Sequence, residues 1–166
     1  MLEALATPSG VVTIPTITAL VVIVGMFVLA GLDIWRHEVE GYATIILAGV
    51  AAAGVTLEGI SAQQWVAGLI SAALAFTVYL ALGIRGVMGG GDVKLAAVPA
   101  FVLATINPVL GAWWVGVSLL IQQLFFTAAR LSVRRTAGDT RNVTVVMPHV
   151  PAMTAGMVIA VSIFPI

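Results

Sequence analysis

An aspartate in this chain directly follows three glycines, in the run MGGGDVKL at residues 88–95. Each glycine disfavours a helix by about 1 kcal/mol relative to alanine, and a segment that only crossed a bilayer has no need of three. The run therefore predicts a backbone bent to deliver the carboxylate of Asp92 to a particular place. A carboxylate at membrane depth is costly and marks a functional site by default.

Asp33 is the candidate partner of Asp92. Two carboxyl groups held close together titrate as a pair, so one stays protonated while the other is charged. The charged group takes a proton from water while the protonated one donates to a scissile carbonyl, which hydrolyses a peptide without a covalent enzyme intermediate. Either aspartate taken alone also fits a simpler interpretation, as a marker of topology or as the N-cap of a helix.

The composition of the 166-residue chain is that of an integral membrane protein, with 61% hydrophobic and 8% charged residues. A soluble domain has about 25% charged residues. The absence of cysteine excludes a disulfide framework, a thiol nucleophile and a cysteine zinc site. His37 and Glu38 begin a zinc-protease pattern, but no second histidine follows at the required spacing, so we expect no metal and no other cofactor. The formal net charge is zero, and we expect no nucleic acid partner.

Apolar runs divide the chain into six predicted helical spans, since a helix needs about 20 apolar residues to cross a bilayer. They are residues 11–32, 42–57, 65–84, 86–106, 109–129 and 148–166. The sequence thus predicts an all-α, polytopic membrane protein that forms one domain. The first run has 22 residues. The apolar core of a cleavable signal peptide has about 7–15, so we expect this run to be retained.

The length of the fourth span sets the depth of the glycine run. Residues 95–106 number only 12 before the break at Asn107 and Pro108. At about 1.5 Å per residue they cannot cross a hydrocarbon core of about 30 Å. Counting from Gly86 gives 21 residues, which suffices. We therefore expect Asp92 to lie within the thickness of the membrane, where irregular backbone must line a cavity or be buried in protein.

The positive charges are distributed on one side of this predicted topology. All seven lysines and arginines lie in, or at the rims of, the loops after spans one, three and five. The positive-inside rule then places those loops in the cytoplasm and both termini outside. Asp33 follows span one and Asp92 opens span four, so both are expected at the cytoplasmic side and at similar depth. The basic loop at residues 130–147 is expected to rest on anionic lipid headgroups.

These residues carry a resemblance to a known family. Residues 88–95 resemble the G-x-G-D-V-K-L signature of the type IV prepilin peptidases, which are aspartic proteases of the inner membrane. Asp33 lies where that family has its first catalytic aspartate, and residues 148–156 resemble its closing segment, a proline pair before an alanine- and glycine-rich last helix. The resemblance covers the chain from about residue 11 to its end.

The resemblance implies a specific activity. The protein would be an endopeptidase that removes the basic leader of prepilins or pseudopilins, which are anchored by an apolar helix, at the cytoplasmic face of the inner membrane. Asp33 and Asp92 would be the catalytic pair, and Gly89 and Gly91 would shape the turn at Asp92. The pilus assembly machinery would be an indirect partner, and membrane lipid a direct one. The oligomeric state is not predicted.

Two further residues have two interpretations each. Lys94 is either an interfacial anchor or a charge that tunes Asp92. His149, between two prolines, either lines the same polar cavity or simply begins the last helix.

Two departures from the family pattern are visible. Residues 37–41 replace the usual basic pair and Ile-Pro-Asn-like stretch. The chain also has no cysteine, whereas longer members carry a cysteine-tetrad zinc region and an N-methyltransferase activity. It therefore looks like the short, peptidase-only form associated with Tad/Flp-type pili.

Two alternative functions remain open at this point. A small proton- or ion-coupled transporter would use the two carboxylates as a relay, although transporters usually show broken helices in two matching halves and only one break is visible here. A catalytically silent membrane scaffold with the same fold would be consistent with the altered sequence at residues 37–41.

Overall fold

The computed structural model describes residues 16–36, 41–137 and 148–163, and these ranges contain six α-helices. The helices are α1 (Thr16–Arg36), α2 (Gly41–Leu57), α3 (Ala62–Ile84), α4 (Gly90–Ile106), α5 (Pro108–Ala137) and α6 (Val150–Ile163). No strand occurs within these ranges. The all-α prediction and the number of helices are confirmed.

Three of the helices are long and apolar enough to cross a membrane: residues Ile17–Arg36 of α1, the whole of α3, and Pro108–Ala129 of α5. The other three helices have 17, 17 and 14 residues. At about 1.5 Å per residue they are shorter than a hydrocarbon core of about 30 Å. Membrane crossing by all six helices therefore stays a prediction. The orientation of the termini also stays a prediction, because residues 1–15 and 164–166 lie outside the described ranges.

The fourth helix begins later than predicted, at Gly90 instead of Gly86. Gly86 has φ +71°, a left-handed conformation that glycine adopts without a steric penalty. The N–H groups of Gly86 and Val87 donate to carbonyls at the end of α3, at 2.9 and 3.0 Å, so this stretch completes α3 before α4 starts. The predicted bend therefore lies at residues 85–89, which we call the glycine turn.

The fifth helix continues further than predicted. Residues 130–137 belong to α5, so the part of the expected basic loop at residues 130–147 that the structure describes is helical. The physical reason is the absence of a breaker, since neither glycine nor proline occurs between Gly116 and Gly138. The predicted break at Asn107 and Pro108 is confirmed, because α4 ends at Ile106 and α5 starts at Pro108.

Helix α4 is the centre of the bundle and packs against each of the other five helices. From Leu95 to Thr105 every residue except Ala97 is buried. Gly68 of α3 brings the two backbones close, because a Cβ there would lie 2.8 Å from the ring of Phe101. The consequence is that the position of Asp92, at the start of α4, is fixed by the whole bundle.

Candidate active site

Asp33 lies in the last turn of α1 and is buried, with 4% of its surface exposed. The sequence predicted it at the end of the first helix, and the helix continues to Arg36 because no glycine or proline follows Gly31 before that point. Its Oδ2 accepts a hydrogen bond of 3.0 Å from the backbone N–H of Val150, the first residue of α6. The carboxylate therefore connects the end of α1 to the beginning of α6.

Asp92 is the third residue of α4 and is also buried, with 7% of its surface exposed. Its Oδ2 accepts a hydrogen bond of 3.3 Å from the backbone N–H of Gly89, the N-cap residue. A Cβ on Gly89 would lie 3.3 Å from the same oxygen, so glycine gives the carboxylate room to fold back over the helix start. Gly91 is half-buried in the same first turn.

The structure brings these two aspartates together. They belong to different helices and lie 59 positions apart in the sequence, yet the charge of Asp33 acts on Asp92. Both side chains are buried at the same end of the bundle, and each hydrogen bond engages Oδ2 and a backbone N–H of a helix start. Such an arrangement can hold two carboxyl groups in fixed orientations while each acts on the titration of the other.

His149 adjoins this pair. Its Nδ1 lies 2.7 Å from Nε2 of Gln122 on α5. Burial lowers the pKa of His149 below its ordinary value of 6.5, whereas the Asp33 carboxylate and the Val87 backbone act in the opposite direction. The half-buried ring lies directly before α6, whose first residue donates to Asp33, and both interpretations of His149 stay predictions.

The sequence model of the type IV leader peptidase family matches residues 20–133, more than half of the chain. The chain belongs to this family. The matched region contains both Asp33 and Asp92, and it ends before α6. No curated protein and no solved structure matches the chain. Membership confirms the family that the glycine–aspartate run indicated, and it assigns a leader-peptidase-like function in general terms.

Lys94 of this leader peptidase extends away from its own backbone towards the start of α2. Its Nζ lies 3.9 Å from the position that a Cβ on Gly41 would occupy, and the side chain is exposed. Within the described residues it forms no ion pair with Asp33 or Asp92. Both interpretations of Lys94 stay predictions. The unusual sequence at residues 37–41 lies outside the described residues, apart from Gly41.

Sequence reasoning missed three polar residues beside the site. Gln122 contacts His149, and Tyr79 is fully buried with its hydroxyl 2.7 Å from Oγ of Ser118. The charge of Asp92 also acts on Tyr79. A signal was available, because Ser118 and Gln122 are polar residues four positions apart in an apolar helix and therefore share a face.

The described residues contain no group of three or more histidine, cysteine or acidic side chains placed to hold a metal ion.

Proposed function

We propose that this leader peptidase is an aspartic endopeptidase with Asp33 and Asp92 as its catalytic pair. One observation supports the proposal above all: two buried carboxyl groups from α1 and α4, both inside the family match, lie close enough for their charges to interact. Burial of both groups is expensive unless they are paired or hydrogen-bonded. In a peptidase, two neighbouring buried carboxyl groups are the arrangement that acid–base hydrolysis of a peptide bond requires.

The proposed reaction proceeds through a shared proton. The ionised carboxylate takes a proton from a water molecule, whose oxygen adds to the carbonyl carbon of the substrate peptide bond. The protonated carboxyl gives its proton to the carbonyl oxygen, and the tetrahedral intermediate forms without a covalent bond to the enzyme. The C–N bond then breaks as one hydroxyl of the intermediate gives its proton to the ionised carboxylate and the leaving nitrogen takes a proton from the other, which restores the starting state of the pair. Because Oδ2 of each aspartate accepts a backbone N–H, we expect Oδ1 to face the water.

The proposed substrate is a prepilin or pseudopilin whose basic leader is removed at the cytoplasmic face of the inner membrane. The family membership supports this substrate class. All seven basic residues lie in, or at the rims of, the connections after predicted spans one, three and five, which supports the cytoplasmic side. The absence of cysteine argues against the cysteine-tetrad zinc region of the longer members, and we propose Tad/Flp-type pilus assembly as the process served.

The test is co-expression with a prepilin from the same genome, with leader removal scored by gel mobility. The informative variants are Asp33→Asn and Asp92→Asn, because an amide keeps the shape of the side chain and cannot exchange the proton. Acid–base catalysis contributes about 10²- to 10⁴-fold, so each variant should lower the initial rate at least about 100-fold.

Glu58→Gln is the matched control for these variants. Glu58 follows α2 in the turn that leads to α3, and its Oε1 accepts hydrogen bonds of 2.8 Å from the N–H and hydroxyl of Thr18. The same carboxyl-to-amide change there should leave the cleavage rate unchanged. Full cleavage by either aspartate variant, at equal membrane levels, would refute the assignment of the pair.

A further inference from the structure

Two hydrogen bonds join the beginning of α6 to one face of α1. The N–H of Val150 donates to Oδ2 of Asp33 at 3.0 Å, and the hydroxyl of Thr154 donates to the carbonyl of Met26 at 3.2 Å. Met26 and Asp33 lie about two helical turns apart, so they share one face of α1. Val150 and Thr154 are separated by about one turn and share one face of α6. The carboxylate of Asp33 is therefore one end of a connection that runs along two facing helices.

Thr154 contacts both helices through one hydroxyl group. Its side chain is buried, and Oγ1 lies 2.9 Å from the carbonyl oxygen of Val150 as well as 3.2 Å from that of Met26. The first contact alone satisfies the hydroxyl, as is usual for a threonine inside a helix. The second contact brings the side chain of α6 against the backbone of α1. Val150 is then held at both of its backbone groups, because its N–H meets Asp33 and its carbonyl meets Thr154.

The opposite side of α6 is fixed on α5. Nε1 of the fully buried Trp114 donates to the carbonyl of Met153 at 3.0 Å. Gly156 lies so close to α5 that an added Cβ would be 3.0 Å from Cβ of Ser118 and 3.2 Å from its backbone nitrogen. Thr154 and Gly156 point about 200° apart around the helix axis, so α6 presents one side to α1 and the other to α5. Helix α6 thus connects α1 to α5.

Helix α5 in turn packs closely against α4, which carries Asp92. A Cβ on Gly111 would lie 2.9 Å from Cβ of Ala104 and 3.0 Å from the carbonyl oxygen of Ala100, so the two backbones are in near contact. Helix α1 packs chiefly against α6 and α2 and much less against α4. The position of Asp33 relative to Asp92 therefore depends on contacts that pass through α6 and α5 more than on direct packing of α1 against α4.

We infer that Thr154 is a positioning residue, which joins α1 at Met26 to the first turn of α6 and so sets the carboxylate of Asp33 beside Asp92. The inference rests on the proposed roles of the two aspartates. Thr154 is buried inside the bundle and acts through Val150 and the backbone of α1. It also gives a role in the reaction to α6, which lies outside the residues that the family model matches.

Thr154→Val is the decisive variant, because valine keeps the shape of the side chain and removes the hydroxyl. A misplacement of about 1 Å costs about 100-fold in rate, so a smaller shift of Asp33 should lower kcat for leader cleavage about tenfold. We expect KM to stay within about twofold of wild type, since the contacts that bind the substrate are unchanged. Thr154→Ser keeps the hydroxyl and should retain kcat within about twofold. If Thr154→Val does not accumulate, Thr154→Ala removes the same hydroxyl and should show the same loss of kcat.

Thr105→Val is the matched control for a loss of stability. Thr105 is fully buried near the end of α4, and its hydroxyl donates at 2.7 Å to the carbonyl of Val102 in the same helix. The same change there removes a buried hydroxyl and leaves the contact between α1 and α6 intact. We therefore expect Thr105→Val to keep the wild-type kcat, measured at equal amounts of folded enzyme, even where it lowers the unfolding temperature as much as Thr154→Val does.

A distance measurement tests the inference without cleavage. The chain has no cysteine, so Val28→Cys together with Leu74→Cys places two spin labels at known positions on α1 and α3. Both side chains are exposed, and α3 packs extensively along α4, so the second label reports the position of the helix that carries Asp92. We expect the distribution of label distances to shift or broaden in Thr154→Val, and to match wild type in Thr154→Ser and Thr105→Val.

The possible outcomes separate this inference from the proposed function. Wild-type kcat in Thr154→Val, a loss that serine does not rescue, or an equal loss in Thr105→Val would overturn the positioning role. An unchanged distribution of label distances in Thr154→Val would also overturn it, whatever the cleavage results. Full cleavage by Asp33→Asn or Asp92→Asn would instead overturn the proposed catalytic pair and would leave the distance result valid.

Discussion

Replacing Gly89 by alanine tests how closely the glycine turn fits the candidate site. Gly89 has φ −74° and ψ 153°, a conformation open to any residue, so backbone strain does not enter. The added Cβ would lie 3.3 Å from Oδ2 of Asp92, which is tighter than an ordinary contact and displaces the carboxylate by a few tenths of an ångström. A misplacement of about 1 Å costs about 100-fold in rate, so we expect kcat to fall about threefold to tenfold with little change in KM.

Gly90→Ala is the control for this experiment. A Cβ on Gly90 meets nothing within 4 Å, and the residue is exposed in the first turn of α4. Alanine there should leave kcat unchanged and should stabilise the helix by up to about 1 kcal/mol. Leader cleavage in detergent, measured over a range of substrate concentrations, separates kcat from KM. Wild-type kcat in Gly89→Ala, or a larger loss in Gly90→Ala than in Gly89→Ala, would refute the reasoning.

Three further predictions concern stability. Gly86→Ala should lower the free energy of unfolding by about 1–2 kcal/mol, and with it the thermal unfolding temperature, because Gly86 has φ +71°. Gly90→Ala should lower neither quantity. Gly68→Ala should lower the free energy of unfolding by about 1–3 kcal/mol, because the added Cβ would lie 2.8 Å from Phe101. An unchanged unfolding temperature in this variant would contradict the close α3–α4 packing. The pKa of His149 is lower in the folded protein than in the unfolded chain, so the unfolded chain takes up the proton first as the pH falls. The contribution of neutral His149 to the free energy of unfolding is therefore complete above about pH 6.5 and is lost as the pH falls towards the folded-state pKa. His149→Gln should reduce that pH dependence in a thermal unfolding series, and an identical dependence in the variant would contradict it.

The helices were predictable because long apolar runs separated by polar breaks determine them. Their ends were less predictable. Arg36 and Ala137 end helices that extend beyond the apolar runs, since nothing in the sequence stops them earlier. The start of α4 was predicted too early, because Gly86 serves as the end of the preceding helix instead of the beginning of the next one.

The proximity of the aspartates was predictable from the order of the spans, but the groups that hold them were not. In the predicted topology two whole spans separate Asp33 from Asp92, so the sequence already places both on the same side of the membrane. The hydrogen bond from Val150 to Asp33 joins residues 117 positions apart, and the contact of Gln122 with His149 joins residues 27 positions apart. Such contacts depend on how each helix is rotated about its axis, and the apolar runs do not specify that rotation. A polar residue inside an apolar span, such as Gln122, is the kind of signal that narrows the search.

The hydrogen bonds of the two aspartates also allow the capping interpretation to be separated from catalysis. Each carboxylate accepts an N–H at a helix start, as a capping group does. Asparagine caps a helix about as well as aspartate, whereas alanine costs about 0.5–2 kcal/mol. If Asp33 and Asp92 were only caps, the asparagine variants would be stable and active and the alanine variants would be unstable. If they are the catalytic pair, the asparagine variants are stable and inactive, so measuring unfolding temperature and leader cleavage on the same four proteins decides between the two roles.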